Sequence, residues 1–376
     1  MPAPSRFLAE RQARVRARLD ELEVDALVIA HLPNILYLTN HAGSAGLLVL
    51  TRDAAHLVAD SRYAEAVERR QASAHACPGL RVWPVPASYE EALVGLLSDL
   101  DAGRIGFEAD HFTVSRFEWL RRAIESRALA VELRPVEGVV ERARVVKDSY
   151  ELEAMRKAAS HLTLVADRAI AAVREGIAER LVAAAIEAAM RETGYDRIAF
   201  DTIVASGPHS ALPHHRAGDR RIETGDLVVL DFGGVMDGYC CDLTRTVVVG
   251  PPAPDASRLY EAVREAQAAA IAAVRPGIAA SEVDAAARRV LESRGLGAAF
   301  GHGTGHGLGI EVHEEPRVGK ARTDLPPTLL EPGMVFTIEP GAYLPGFGGV
   351  RIEDDVVVTD RGCEVLTSVP RDLQTR

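Results

Sequence analysis

The sequence predicts a two-domain α/β (α+β) protein whose second domain is an internally duplicated, pseudo-twofold structure. Three observations predict it. The chain has 376 residues, more than one ordinary core accommodates. Its N-terminal third alternates short β-type runs with helical stretches. Its C-terminal half contains one segment twice: Glu223-Thr-Gly-Asp-Leu-Val-Val-Leu-Asp231-Phe-Gly233 lines up with Glu331-Pro-Gly-Met-Val-Phe-Thr-Ile-Glu339-Pro-Gly341. A repeat of this kind means one supersecondary unit used twice.

In chain order, the runs Ala26–Ala30, Gly46–Thr51 and His56–Ala59 read as strands, and the segments Arg62–Arg70 and Ser88–Leu100 as helices. Arg134–Gly138 breaks this pattern and Glu141–Lys147 is charge-rich, which places a first domain over residues 1–140. A second domain over 148–376 opens on a helix over Leu152–Val173, with Asp148 or Ser149 as its cap and Glu151 completing a capping box. The duplication begins there, since Ile170-Ala-Ala-Val-Arg-Glu-Gly-Ile-Ala178 matches Ile271-Ala-Ala-Val-Arg-Pro-Gly-Ile-Ala279. Each copy runs into an Ala-rich helix ending near Gly194 or Gly295, and Pro251–Pro254 connects the two.

The composition narrows the function. A hydrophobic fraction of 47% with 26% charged residues fits a globular chain without a membrane span. The first residues run into an Arg-rich helical pattern (Arg11, Arg14, Arg16, Arg18) rather than an apolar signal core, so a cytoplasmic location is expected. A formal net charge of −11 argues against a nucleic-acid partner, which would require clustered Lys and Arg. The four cysteines form no CxxC pair, which fits free thiols in a reducing compartment.

The duplication also points to chemistry. Asp231 and Glu339 stand at equivalent ends of equivalent apolar runs, and a second acid follows each, Asp242 before Val247-Val248-Val249 and Glu353 before Val356-Val357-Val358. Four carboxylates with one imidazole, His306 of Gly301-His-Gly-Thr-Gly-His306-Gly-Leu-Gly309, make an oxygen-rich cage for two hard divalent cations. Without cations these acids would repel one another and raise their own pKa values. The glycine-rich segment lacks the Lys and Ser/Thr of a phosphate-binding loop. Glu311-Val312-His313-Glu314 alternates like a strand and would present His313 to one face, while His214-His215 falls in a loop.

Together, Asp-Phe-Gly(x)8Asp-Leu-Thr-Arg-Thr around Asp231 and Asp242, Gly-His-Gly-Thr-Gly-His-Gly-Leu-Gly-Ile-Glu-Val-His-Glu over 301–314, Thr-Ile-Glu339-Pro-Gly and Val-Arg351-Ile-Glu353-Asp resemble the pita-bread metallopeptidases. The proline-specific subgroup, Xaa-Pro aminopeptidases and Xaa-Pro dipeptidases (prolidases), is the nearest. The first domain, with Asn34-Ile-Leu-Tyr-Leu-Thr39, resembles the creatinase N-terminal domain. The resemblance implies a creatinase-like domain followed by a pita-bread catalytic domain with two divalent ions, manganese first, then cobalt, iron or zinc. By that match Asp231 would bind one metal, Asp242 and Glu353 would bridge both, and His306 and Glu339 would complete the coordination of the second ion. His214 matches a substrate-contacting histidine, His313 the one that meets the peptide carbonyl, His302 lies by the proline pocket, and Arg351 matches the arginine of the proline-specific subgroup. His214, His313 and Glu339 would be the catalytic residues, and His302 and Arg351 would bind substrate.

The expected partners are short peptides with proline at the second position, and the expected assembly is a homodimer. No dedicated cation for a prolyl carboxylate stands out, so this reading favours an Xaa-Pro aminopeptidase, with prolidase as the alternative. A methionine aminopeptidase would need neither the first domain nor the Arg351-Ile-Glu353 context, a metal-free creatine hydrolase would be insensitive to chelators, and a non-catalytic module would lack ligands.

Overall fold

The computed structural model describes residues 2–100 and 102–376. Two compact units divide the chain, Met1–Arg144 and Val145–Arg376. In the first, β1 (Ala26–Ile29), β2 (Leu47–Thr51), β3 (Ala55–Ala59), β4 (Leu80–Pro84), β5 (Arg104–Glu108) and β6 (Glu132–Val136) form one mixed sheet of order β4-β3-β2-β1-β5-β6. Helices α1 (Ser5–Glu21), α2 (Leu32–Thr39), α3 (Ser61–Gln71), α4 (Tyr89–Asp99) and α5 (Val114–Ser126) alternate with the strands, and α6 (Val139–Val145) ends the run. Asn34–Thr39, a weak motif in the sequence, thus lies wholly within α2, and Asn34 is buried with its amide on Glu108 and Glu141 (2.6 and 2.5 Å).

The second unit contains two similar halves. In the first, α7 (Ser149–Ala172) and α8 (Glu179–Glu192) precede β7 (Arg197–Ile198), β8 (Ile203–Ser206), β9 (Leu227–Met236) and β10 (Tyr239–Val248). In the second, α9 (Pro254–Ala273) and α10 (Ala280–Ser293) precede β11 (Gly305–Gly307), β12 (Glu314–Val318), β13 (Val335–Ile338), β14 (Gly341–Leu344), β15 (Gly348–Arg351), β16 (Asp354–Val358), β17 (Cys363–Val365) and β18 (Gln374–Thr375). The first sheet has the order β18-β10-β9-β7, with β8 also on β9; the second has β12-β11-β13-β16-β17, and β14-β15 form a separate hairpin.

Local chemistry accounts for these boundaries. Asp148, rather than Ser149, caps α7, and the reciprocal bonds to Glu151 are both 3.0 Å. Pro254 opens α9 at a position where its missing N–H is not needed. Asp237 and Gly238 both have positive φ (52° and 87°), so a two-residue turn joins the long antiparallel pair β9-β10.

Strand periodicity then separates core from site. On β9 the even positions Val228, Leu230 and Phe232 pack with Leu162, Val165 and Ile186 of the helices. The odd positions, Asp231 among them, face the other way. Phe336 and Ile338 of β13 and Val356 and Val358 of β16 pack likewise with Leu259, Val263 and Val283. A buried ion pair, Arg245–Asp354 at 2.8 Å, ties the two halves together. Among the described residues no helix is long and apolar enough to cross a membrane.

Candidate metal centre

The four repeat-related acids occupy the faces turned away from the helices. Thr244 stands opposite Asp231 and Gly233 opposite Asp242 in the β9-β10 register, which makes Asp231 and Asp242 diagonal neighbours on one face. Glu339 follows β13 directly and Glu353 precedes β16, whose strands pair Ile338 with Asp354. Two backbone bonds seat these acids: Glu353 N donates to the Thr244 carbonyl (3.1 Å) and Glu339 N to the Thr304 carbonyl (2.7 Å). Side-chain bonds orient them, Thr244 Oγ1 to Glu353 Oε2 at 2.6 Å and Thr337 Oγ1 to Glu339 Oε1 at 3.3 Å.

His306 enters from β11. Its Nδ1 lies 3.0 Å from the Gly307 carbonyl, which can only accept, so Nδ1 carries the proton and Nε2 presents a lone pair. That Nε2 is 3.6 Å from Glu339 Oε1 and 3.9 Å from Asp242 Oδ2. Ligand atoms of Asp242, His306 and Glu353 all lie within 4.8 Å of one another.

The structure places the remaining histidines around this cluster. His313 lies in a bend immediately before β12 rather than within a strand, because Glu311 N turns back onto Glu314 Oε1 (2.9 Å); its ring is 4.3 Å from that of His306. Burial and the neighbouring His214 hold His313 below the ordinary imidazole range. His214 is exposed in the loop after β8. His302 donates from Nδ1 to the Gly303 carbonyl (2.8 Å) and therefore accepts at Nε2 from the Tyr343 hydroxyl (2.9 Å). Burial pushes its pKa down to about 4.

Arg351, expected among the substrate contacts, is held by protein partners beside the cluster. Its side chain is 4% exposed, and it pairs with Asp231 through Nη2. Nη1 donates to the Tyr343 hydroxyl (2.9 Å) and the Pro213 carbonyl (3.3 Å), and Nε to Thr244 Oγ1 (3.2 Å). Arg351 thus fixes Asp231 and the end of the His214 loop, and Tyr343 relays it to His302. A run of buried valines disguises this role in the sequence, and Tyr343 itself carries no signal beyond following Gly341. Asp284 was equally illegible: it accepts from the backbone N and Oγ1 of Thr304 (3.1 and 2.8 Å), anchoring the glycine-rich segment between His302 and His306.

These residues fit divalent cations. Asp242 Oδ1 and Glu353 Oε1 are buried without a hydrogen-bond partner, a state that native structures avoid unless an ion or proton is meant for the atom. Burial first, and then the facing acids, raise the Asp242 and Glu353 carboxyls well above the usual range. Burial likewise lifts Glu339 to about 8, with Arg351 opposing and Asp231 adding to the rise. His306 is held at about 4 by burial, so its imidazole is neutral at pH 7. Three buried carboxyls raised in this way, with Asp231 and a bare imidazole nitrogen beside them, make a donor set that fits divalent cations.

Comparison with known proteins places the chain in a family. The sequence model of metallopeptidase family M24 matches residues 153–360. The chain belongs to metallopeptidase family M24. Residues 11–146 match the creatinase/prolidase N-terminal domain. This M24 chain is 37% identical over 372 residues to an Xaa-Pro dipeptidase of Pyrococcus horikoshii, covering 98% of this chain and 99% of that one. It superposes on an Xaa-Pro dipeptidase from Bacillus anthracis with a TM-score of 0.92 at 36% identity, covering 98% and 100% of the two chains. An X-Pro aminopeptidase from Thermotoga maritima gives a TM-score of 0.85 at 32% identity, covering 97% and 99%. The chain is therefore a prolidase-like metallopeptidase, a hydrolase whose family implies divalent ions.

Proposed function

We propose that this M24 protein is an Xaa-Pro dipeptidase that uses two divalent ions. The observation that carries the choice of dipeptides is the end-to-end match to the P. horikoshii and B. anthracis dipeptidases. It favours the prolidase alternative over the aminopeptidase expected from the lack of a visible carboxylate-binding cation in the sequence.

In this reading Asp231, Asp242, His306, Glu339 and Glu353 hold the ions, which supply Lewis-acid polarisation of the scissile carbonyl and lower the pKa of water toward neutrality. Glu339 takes a proton from the attacking water and returns it to the leaving imino nitrogen. His214 and His313 donate hydrogen bonds to the oxygen that gains charge as the carbonyl carbon becomes tetrahedral. Arg351 positions Asp231 and, through the Tyr343 hydroxyl, stands beside His302 at the substrate side of the centre. Both nitrogens of His302 are committed, so it offers a prolyl ring an imidazole surface without a free donor. That suits a tertiary amide, which has no N–H to pair.

The test is kcat/KM on Xaa-Pro against Xaa-Pro-Yaa peptides with manganese-loaded protein. Cleavage confined to dipeptides is expected. Comparable cleavage of the tripeptides would restore the aminopeptidase reading, which the T. maritima structure supports.

A further inference from the structure

A second cluster lies outside the candidate centre, in the first half of the same unit. Glu179 opens α8 and is fully buried, with a side-chain exposure of 0%. Its carboxylate receives His209 Nδ1 on Oε1 at 3.0 Å and His215 Nε2 on Oε2 at 2.9 Å. The two imidazoles lie with ring centroids 4.2 Å apart, and the ligand atoms of all three residues fall within 4.8 Å of one another. Three further donors reach the carboxylate from its other side: Ser206 N and Oγ on Oε1 (2.9 and 2.7 Å) and Gly218 N on Oε2 (3.2 Å). Burial works to raise the Glu179 pKa, but the bonds from Ser206 and His215 outweigh it and hold the carboxyl below the ordinary range. Glu179 is therefore ionised at neutral pH. The nearest cation in its network, Arg220, is engaged by Asp226 at 2.5 Å and by Ser206 Oγ at 2.6 Å.

We propose that Glu179, His209 and His215 form a second, separate metal site that takes one imidazole-preferring divalent ion of the zinc type. Ligand atoms bound to zinc at about 2.0–2.2 Å in a tetrahedron lie roughly 3.3 Å apart. The nitrogen-to-oxygen separations of 2.9–3.2 Å observed here are only a few tenths of an ångström shorter. Zinc thus takes the place of the two imidazole protons now shared with the carboxylate, while Ser206 and Gly218 continue to orient Glu179 as outer-shell donors. The His209 side chain is 36% exposed and that of His215 13%, which leaves a path for the ion and an open fourth position for water. The donor set separates this site from the candidate centre: two imidazoles with one carboxylate favour zinc, whereas the four acids with His306 favour manganese. The ligands bracket the loop that carries His214, so occupancy fixes that loop at both ends.

The experiment counts zinc per chain by equilibrium dialysis and elemental analysis in an Asp242→Asn/Glu353→Gln/His306→Ala protein, which removes the candidate centre and leaves this cluster intact. One zinc per chain is expected, with affinity falling at least tenfold on adding His209→Ala or His215→Ala and folding checked by circular dichroism. Retention of no zinc by the folded triple variant, or a zinc count unmoved by His209→Ala, overturns the proposal. If the triple variant does not fold, wild type is compared with His209→Ala alone: one zinc fewer in the variant supports the site, and equal counts overturn it. None of these readings depends on peptidase activity.

Discussion

Removing the divalent ions and raising the pH should destabilise the catalytic unit in a way traceable to Glu339. In the ion-free fold this carboxyl titrates at about 8 rather than 4.5, chiefly because it is buried. Between those values the folded state keeps a proton that the unfolded chain has released, so stability falls as pH rises. The contribution is intact below the unfolded value and lost once pH passes the folded one. At roughly 1.4 kcal/mol per pH unit the interval from 4.5 to about 8 amounts to about 5 kcal/mol. For a unit of this size that corresponds to a fall in Tm of about 10–20 °C. Asp242 and Glu353 shift in the same direction and add to it. The assay is thermal unfolding in chelator at several pH values from 5 to 8.5, for wild type and Glu339→Gln, with a manganese-loaded control. Wild type should lose stability with pH more steeply than Glu339→Gln, and ions should abolish the difference because cations replace the protons. Identical pH slopes for the two ion-free proteins would refute the picture of crowded, buried carboxylates.

Other consequences follow from the same contacts. Thr244→Val removes the 2.6 Å bond to Glu353, and manganese affinity measured by calorimetry should weaken about 10–100-fold. Arg351→Met leaves Asp231 without its buried partner and should lower unfolding free energy by about 3–5 kcal/mol in a denaturant titration. Arg351→Lys should not restore it, because one ammonium does not reproduce a guanidinium shared by Asp231, Tyr343, Thr244 and Pro213. His214→Ala and His313→Ala should each lower kcat by roughly 10²–10³-fold if they serve the developing oxyanion, with KM changing much less; a change confined to KM would assign them to substrate binding alone.

The acids of the centre were legible because duplication marks them twice. A lone Asp231 is indistinguishable from a turn residue, but Asp231 and Glu339 at equivalent ends of apolar runs are not independent coincidences. The period of two in β9 and β13 then dictated that they leave the core face. The supporting residues were illegible for a complementary reason. Tyr343, Asp284 and Glu179 act through partners 8 to more than 30 positions away, joined by loops whose path only the fold defines. Glu179 looks in sequence like any acid in a helix's first turn, and His215 like a solvated loop histidine. Arg351 carries more than residue type suggests, since the arginine expected near substrate also locks a proposed ligand, Asp231, through a contact no spacing in the sequence marks. His313 was misplaced on a strand because alternation over four residues is too short to distinguish a strand from the turn that Glu311 and Glu314 close.

The most direct test of the account is a crystal structure of the protein grown with excess manganese and measured for anomalous scattering. Two peaks are predicted within bonding distance of the cluster, with Asp242 and Glu353 oxygens and His306 Nε2 among the ligands. A single peak, or none beside these side chains, would contradict a dinuclear centre and the hydrolysis derived from it.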